Sequence, residues 1–244
     1  MVTTLEEISI NAFPALKTVL YDGWILRFSN GYSRRANSVQ PLYLPKQSLD
    51  EKIAYCEKLY HAQNLPVVFK MTRAAQPANL DAELEVRGYH LEADTIVQTC
   101  ELFAHPPLRA SDVEICETWN EEWFDAYCRM NNPNPAQRDT LKQILKLIVP
   151  QTGFALLREH GTVCACGLGV RQEKFLGLFD IVVDEKFRQR GYGRKIVSQL
   201  MAWGKQNGAQ LAYLQVIANN TPARNLYAQL GFADHHLYWY RVHV

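Results

Sequence analysis

Apolar positions follow a helical spacing in some parts of the chain and form short continuous runs in others. Near the C-terminus, apolar residues from Ile196 to Trp203 recur at helical spacing, which predicts a helix that ends before Gly208. The apolar run Leu211–Ile217 then predicts a strand. Strands and helices in this order predict a mixed α/β fold. An antiparallel meander is predicted upstream from three further runs, at 154–159, 163–171 and 177–183.

One pattern occurs twice along the chain. Residues 77–102 and 222–242 each begin with Pro-Ala, continue as a short helical pattern and close with glycine and an aromatic residue before a strand-like run. The two glycines, Gly88 and Gly231, stand 143 positions apart, and a predicted helix and strand precede both segments. The same elements thus recur in the same order at a similar separation along the chain. This favours duplication of one fold, and the alternative is two unrelated αβαβ stretches.

The boundary between the two copies is predicted where Pro106 and Pro107 interrupt the pattern. The chain then consists of a degenerate N-terminal domain, residues 1–106, and a complete C-terminal domain, residues 107–244.

Composition narrows the possible classes of function. The 244 residues are 48% hydrophobic and carry a formal net charge of +1, which argues against global disorder and against a protein that coats nucleic acid. No apolar run is long enough to span a bilayer and the N-terminus lacks a signal-peptide pattern, so we expect a cytoplasmic protein without a membrane partner. Six cysteines are too few for a disulfide scaffold.

The stretch after the third strand of the meander carries the strongest chemical signal. A strand ends at Val183, a short loop contains Gly191 and Gly193, and a helix begins at once. Five of the ten residues 186–195 are basic. Glycines at such a junction let backbone amides approach a ligand, and a helix N-terminus favours an anion. The pattern favours a pyrophosphate cradle, and a tight turn with solvated arginines is the alternative interpretation.

Two motifs in this region resemble the GNAT superfamily of acyl-CoA-dependent N-acyltransferases. That superfamily has Gln/Arg-x-x-Gly-x-Gly/Ala after a strand, and this chain has Arg188-Gln-Arg-Gly-Tyr-Gly193. The superfamily then has Asn-x-x-Ala-x-x-Leu-Tyr and Gly-Phe, which match Asn220 to Tyr227 and Gly231-Phe232. The match covers residues 111–244, and the first half resembles the fold only in outline. The resemblance implies an α+β fold whose central sheet is mixed, mostly antiparallel and flanked by helices, in two tandem copies.

The resemblance also implies roles for the matching residues. Acetyl-CoA is the implied co-substrate, with its pyrophosphate on the loop and its pantetheine arm along the preceding strand. Tyr227 would protonate the leaving thiolate, and a buried aromatic that packs in the core is its alternative interpretation. Asn220 would hold the pantetheine or the adjoining backbone. The implied acetyl-CoA-binding residues are Ile181, Val182, Val183, Arg188, Gln189, Arg190, Gly191, Tyr192, Gly193, Arg194, Asn220, Ala223 and Tyr227.

A general base is needed because an amine must be neutral to attack. Asp180 is the first candidate, since it is a charge inside the otherwise apolar run 176–183. Its alternative interpretation is a structural carboxylate that binds a neighbouring loop or arginine. Glu121, Glu122 and Asp125 are weaker candidates because a solvated helix face explains them equally well.

The first copy departs from the pattern where the chemistry would take place. The counterpart of the loop, Val39–Lys46, contains two prolines and no glycine, and proline lacks the N–H that a phosphate needs. Aligned on the Gly-aromatic pairs, Leu84 stands where Tyr227 stands. We therefore expect a degenerate copy that shapes the acceptor pocket or packs against the sheet.

No metal site is expected from the sequence. Cys164 and Cys166 share one face of a strand, but further ligands with metal spacing are missing, so a buried reduced pair is favoured over zinc. His235-His236 is expected in a terminal turn.

The residues and the resemblance together predict an acetyl-CoA-dependent N-acetyltransferase that transfers its acetyl group directly to a primary amine. The expected acceptor is a small amine or amino-acid-like molecule, with no nucleic-acid partner, and no motif identifies it. The alternatives are a non-catalytic acyl-CoA sensor and an aminoacyl or acyl transferase of a related tandem fold. The sequence does not indicate the oligomeric state.

Overall fold

The computed structural model of the chain describes residues 1–104 and 112–243. The helices in these ranges are α1 (Val2–Ala12), α2 (Leu49–His61), α3 (Leu80–Val86), α4 (Glu121–Asn131), α5 (Pro135–Lys146), α6 (Tyr192–Gln206) and α7 (Thr221–Gln229). The strands are β1 (Lys17–Tyr21), β2 (Trp24–Phe28), β3 (Val39–Gln40), β4 (Val67–Thr72), β5 (His90–Glu101), β6 (Val113–Cys116), β7 (Gln151–Glu159), β8 (Thr162–Gln172), β9 (Phe175–Val183), β10 (Leu211–Ile217) and β11 (Ala233–His243).

The chain forms two compact units. Unit 1 contains residues 1–96, 143–147 and the C-terminal segment from His236, and unit 2 contains residues 97–142 and 148–235. The predicted boundary between residues 106 and 107 lies outside the described residues. The units differ from the predicted domains mainly because most of β11 belongs to unit 1.

Unit 1 is built on a sheet with the strand order β1-β2-β3-β4-β11. β1 and β2 form an antiparallel hairpin, β2 pairs antiparallel with β3, and β3 runs parallel to β4. β11 pairs antiparallel with β4, from Tyr238 opposite Thr72 to His243 opposite Val67. Alternate residues of β2 and β4, among them Trp24, Leu26 and Phe69, pack into a core with α2 and α3.

Unit 2 is built on strands in the order β10-β9-β8-β7-β6, with the end of β5 beside β10. β6, β7, β8 and β9 pair antiparallel, which confirms the predicted meander, and β9 runs parallel to β10. α6 connects β9 to β10 and buries Ile196, Val197, Leu200 and Trp203, which follow the helical spacing seen in the sequence. The predicted mixed, mostly antiparallel sheet with flanking helices is confirmed.

The two units repeat one local topology and one helix ending. In each unit an antiparallel meander leads through a helix to a parallel strand and then to a short helix. The Tyr89 amide donates to the Leu84 carbonyl at 3.0 Å after α3, and the Phe232 amide donates to the Tyr227 carbonyl at 3.0 Å after α7. Both endings turn at a glycine with positive φ. Duplication of one fold stays a prediction, and it would account for this repetition.

No helix within the described ranges has the length and apolar character that crossing a membrane would require.

Candidate active site

The parallel strands β9 and β10 part before they end. Their register runs from Leu211 opposite Phe175 to Leu214 opposite Leu178, whereas β9 continues to Val183 and β10 to Ile217. β9 is buried up to Phe179 and half-buried from there to Val183. Backbone groups that a neighbouring strand no longer satisfies can pair with an extended ligand. The end of β9 therefore offers an edge of the kind that the pantetheine arm was expected to use.

A β-bulge lies where the strands part. Leu168 of β8 faces Phe179 of β9, and Cys166 faces Val182, so β9 has one extra residue between these pairs. Asp180 in this bulge has a φ of 51°, a conformation that non-glycine residues adopt only rarely. Bulges redirect side chains and are frequent beside active sites. The bulge is thus the local cause of the direction in which the Asp180 carboxylate points.

Asp180 lies against aromatic residues of α4. The Tyr127 hydroxyl donates to Asp180 Oδ1 over 3.5 Å, and the Tyr127 ring stacks on Trp123 with centroids 5.4 Å apart and planes at 8°. Trp123 Nε1 donates to the Gly167 carbonyl, opposite the bulge, at 2.9 Å. Neither Trp123 nor Tyr127 was a candidate from the sequence. Their i,i+4 spacing on α4 is the signal that could have paired them.

The loop between β9 and α6 leaves a run of amides open. A 3-10 turn, Glu185–Phe187, follows β9, and Gln189 and Gly191 have φ values of 62° and 77°. The first intrahelical bond of α6 runs from the Lys195 amide to the Gly191 carbonyl. Across the described residues, no acceptor takes a hydrogen bond from the amides of residues 189–194. Such a run of donors at a helix N-terminus is suited to a phosphate.

Two arginines of this loop, Arg188 and Arg190, are paired with carboxylates. Arg190 lies 3.2 Å from Glu159, whose Oε2 also accepts from the Tyr192 hydroxyl at 2.8 Å. Arg188 pairs with Glu185 at 3.3 Å. Exposed pairs of this kind contribute little stability, so a bound polyanion can exchange with the carboxylates. Glu159 had no signal in the sequence, because it lies on a strand far from the loop in the chain.

Gly193 is the point where the three predicted segments meet. A Cβ on this residue would lie 3.3 Å from Leu226 Cδ2 and 3.7 Å from Val183 Cγ2. The end of β9, the start of α6 and the helix α7 thus come together at one place. The close approach at Gly193 therefore brings the loop motif next to the helix that carries Tyr227.

Tyr227 lies half-buried on α7 and packs edge-to-face against Phe232 with centroids 6.0 Å apart. Burial raises the pKa of Tyr227 above the ordinary value of 10.0. Its hydroxyl has no hydrogen-bond partner in residues 1–104 and 112–243. At neutral pH this phenol is therefore protonated and can donate a hydrogen bond.

Asn220 begins the helix that carries Tyr227. Its Oδ1 accepts from the Ala223 amide at 3.2 Å, which makes it the N-cap of α7. A contact with the adjoining backbone was one of the two roles that the resemblance implied for Asn220. Asn220 thereby fixes where α7 starts and how far Tyr227 lies along it.

The weaker base candidates are engaged in ion pairs on the surface. Glu121 pairs with Lys142, Glu122 with Arg158 at 2.7 Å and Asp125 with Arg138 at 2.6 Å. All three carboxylates are exposed, in agreement with a solvated helix face.

Histidine and cysteine residues are built into the interior. The expectation of a terminal turn at His235-His236 is wrong, because both residues belong to β11. His236 is buried, with Nε2 3.1 Å from Glu6 Oε1, and Glu6 also pairs with Lys70. Cys164 and Cys166 are buried free thiols. Within the part of the chain that the structure describes, no group of three or more His, Cys, Asp or Glu residues could hold a metal.

The corresponding loop of unit 1 satisfies its own amides. The Leu42 amide donates to the Gln40 carbonyl at 3.0 Å, and the Tyr43 amide to the Gly23 carbonyl at 3.1 Å. The Lys46 and Gln47 amides donate to the Asp22 carboxylate at 2.9 and 3.0 Å. These bonds lower the pKa of Asp22, with the Gln47 amide as the largest cause.

Within unit 1, the strand edge that corresponds to the open edge of β9 is closed. The Gln76 amide, beyond the end of β4, donates to the Pro41 carbonyl at 2.8 Å, just after β3. Leu84, at the position of Tyr227, is fully buried in the core. In unit 1 a carboxylate of the chain thus lies at the loop amides, and the chain itself pairs beside β3.

Comparison with known proteins places this chain among acetyltransferases. The family model described as "Probable histone acetyltransferase Rv0428c C-terminal" matches residues 2–241. The "Uncharacterized N-acetyltransferase YobR" of Bacillus subtilis (strain 168) is 28% identical over 244 residues, which cover 98% of this chain and 97% of that protein.

Solved structures share the fold at low sequence identity. A GCN5-related N-acetyltransferase from Kribbella flavida has a TM-score of 0.71 and 13% identity, with 99% of this chain and 95% of that chain covered. A tandem GNAT protein from the clavulanic acid biosynthesis pathway has a TM-score of 0.66 and 12% identity, with 98% and 87% covered.

Proposed function

The chain belongs to this family of GNAT N-acetyltransferases, and from that premise we propose that its site transfers an acetyl group from acetyl-CoA directly to a primary amine of a small-molecule acceptor. The observation that carries the proposal is the meeting of three segments at Gly193. There the open strand edge, the open loop amides and the helix of Tyr227 come together.

The residues of unit 2 fit acetyl-CoA, which when bound supplies the activated thioester. Amides from Gln189 to Arg194 would hold the pyrophosphate, because they have no acceptor within the described ranges and lie at the start of α6. The backbone from Ile181 to Val183 would hold the pantetheine arm as an added strand. Asn220 and Ala223 support this side of the site by fixing the start of α7.

Tyr227 and Asp180 divide the proton transfers between them. As the amine nitrogen bonds to the carbonyl carbon and the carbon–sulfur bond breaks, Tyr227 gives its proton to the sulfur and Asp180 takes the proton that the amine loses. The raised pKa of Tyr227 keeps the phenol protonated for this task. The Asp180 carboxylate is half-buried at the bulge, beside the edge that the thioester would follow.

Direct transfer is favoured over an acyl-enzyme because the nearby thiols are poor nucleophiles. Burial raises the pKa of Cys164, and burial together with the Asp180 carboxylate raises that of Cys166. A thiol must ionise to attack, and these groups resist ionisation.

Unit 1 is proposed as a copy that does not bind acetyl-CoA. Asp22 occupies the loop amides that would face a phosphate, and Gln76 pairs beside β3 where a pantetheine arm would pair. A second anion at this loop would be repelled by the Asp22 charge. Unit 1 would then serve the structure of the protein.

Thiol release from acetyl-CoA in the presence of an amine panel tests the proposed activity. We expect release that depends on the amine, a large loss in Tyr227→Phe, and a loss at neutral pH in Asp180→Asn that is relieved as the pH rises. Acetyl-CoA binding without release for any amine would favour the sensor interpretation. Full activity of Asp180→Asn would remove Asp180 as the base and leave the transfer itself intact.

A further inference from the structure

Arg129 connects three elements of unit 2 with one guanidinium. It lies in the last turn of α4, and its Nη1 donates to Asp184 Oδ2 at 2.5 Å. Its Nη2 donates to the carbonyl of Val163 on β8 at 2.6 Å. Asp184 is the first residue after β9. The Arg129 side chain therefore links α4 to the start of β8 and to the end of β9.

Asp184 is the residue from which the phosphate loop starts. Its amide donates to the Cys164 carbonyl at 2.9 Å, which continues the pairing of β9 with β8. Its Oδ1 accepts from the Lys186 amide at 3.1 Å, and its carbonyl accepts from the Phe187 amide at 2.9 Å. The 3-10 turn is thus built on Asp184, and the open amides follow two residues after that turn.

The arginine fork suits this arrangement in a way that a single charge would not. Its two terminal nitrogens point at a carboxylate and at a backbone carbonyl at the same time. A lysine has one nitrogen on a flexible stem and cannot hold the same two acceptors in a fixed plane. Although the Arg129 side chain is 47% exposed, the Asp184 side chain is only 16% exposed.

We propose that Arg129 and Asp184 are a positioning pair that sets the affinity for acetyl-CoA by holding the loop amides in their binding arrangement. This inference rests on the proposed function of the loop. Neither side chain is assigned a contact with the reacting atoms. The pair also joins α4, the helix of Tyr127, to the loop that is proposed to bind acetyl-CoA.

Charge alone makes the opposite prediction for Asp184. Removing a negative charge near a bound pyrophosphate would strengthen acetyl-CoA binding if the only effect were electrostatic. Removing the residue that anchors the turn would weaken binding, because the amides would have to be ordered when acetyl-CoA binds. The sign of the change in Asp184→Ala therefore separates the two explanations.

The test measures acetyl-CoA affinity by calorimetry, together with KM and kcat, in Arg129→Ala, Arg129→Lys, Asp184→Ala and the double variant. We expect affinity to fall roughly 5- to 50-fold in Arg129→Ala, which loses two charge-assisted bonds, with kcat within about twofold of wild type. Arg129→Lys should recover little of this loss. The double variant should be no weaker than the worse single variant.

Arg171→Ala is the matched control. Arg171 also donates to one side chain and one backbone carbonyl, Gln151 Oε1 at 2.7 Å and the Glu173 carbonyl at 2.8 Å, but at the opposite end of β8. The Arg171→Ala variant should bind acetyl-CoA with wild-type affinity.

Wild-type affinity in Arg129→Ala, tighter binding in Asp184→Ala, or full recovery in Arg129→Lys would each overturn the positioning role. If Gly191→Glu also binds like wild type, the loop assignment itself fails. If Gly191→Glu is weakened while Arg129→Ala is not, only the inference about this pair fails.

Discussion

Replacing Gly191 by glutamate is expected to weaken acetyl-CoA binding while the fold is retained. Gly191 is the N-cap of α6 with a φ of 77°, and a Cβ there would meet nothing within 4 Å. A Cβ at position 191 therefore causes no steric clash in the free protein. The substitution adds backbone strain of about 1–2 kcal/mol, which for a chain of this length lowers Tm by roughly 2–8 °C.

The effect on binding comes from the new carboxylate. At about 5 Å from one phosphate charge, repulsion amounts to about 1–3 kcal/mol over effective dielectric constants between those of water and a protein surface. This corresponds to a rise in the acetyl-CoA KM of about 5- to 150-fold. The assay is thiol release over a range of acetyl-CoA concentrations, with calorimetric affinity as a second measurement.

Gly208→Glu is the control at the other end of the same helix. Gly208 follows α6 with a φ of 92°, and a Cβ there would also meet nothing within 4 Å. A carboxylate beyond a helix C-terminus is disfavoured by the helix dipole, whereas one at the N-terminus is favoured, so the control loses at least as much stability. A wild-type acetyl-CoA KM in Gly191→Glu, or an equal rise in Gly208→Glu, would refute the electrostatic reasoning.

Three further results are expected. Tyr227→Phe should lower kcat by about 10²- to 10⁴-fold with unchanged acetyl-CoA affinity. Because burial raises the pKa of Tyr227, the wild-type kcat should fall on the alkaline side only above pH 10. A decline in kcat centred near pH 8 would contradict this role of Tyr227. Calorimetry should find about one acetyl-CoA per chain, because Asp22 fills the loop of unit 1; a second site of similar affinity would refute that assignment. Burial raises the pKa of Glu6, but Lys70 and His236 more than offset this effect, so the pKa lies below its ordinary value of 4.5. The wild-type protein should therefore lose stability as the pH falls below 4.5. Tm measured against pH should fall less steeply in Glu6→Gln.

Much of unit 2 could be predicted from local sequence signals. The meander, α6 and β10 follow from hydrophobic spacing, and the fold and acetyltransferase class inferred from the two motifs are confirmed. The bulge at Asp180 could not be placed, because the apolar run 176–183 has the same pattern with or without an extra residue. Asp180 itself was singled out only because it is a charge within that run.

The destination of the last strand was the main feature that the sequence left open. The strand-like run that closes residues 222–242 had no predicted partner, and the structure pairs it with β4 of unit 1. The same pairing buries His236 beside Glu6, where a turn had been expected. The strand with which β11 pairs depends on which strand edges are free after the rest of each unit has folded. The local hydrophobic pattern does not contain this information.

Three features follow from sequence alone: the order of strand, glycine loop and helix, the tyrosine seven residues after Asn220, and the loss of both motifs in the first copy. These are properties of short segments, set by backbone freedom and side-chain chemistry. Three others emerge only on folding: β9 and β10 part, Val183, Gly193 and Leu226 meet, and Asp22 lies at the loop amides of unit 1. Each of these depends on segments distant in the chain, which come together only through packing of the sheets and helices.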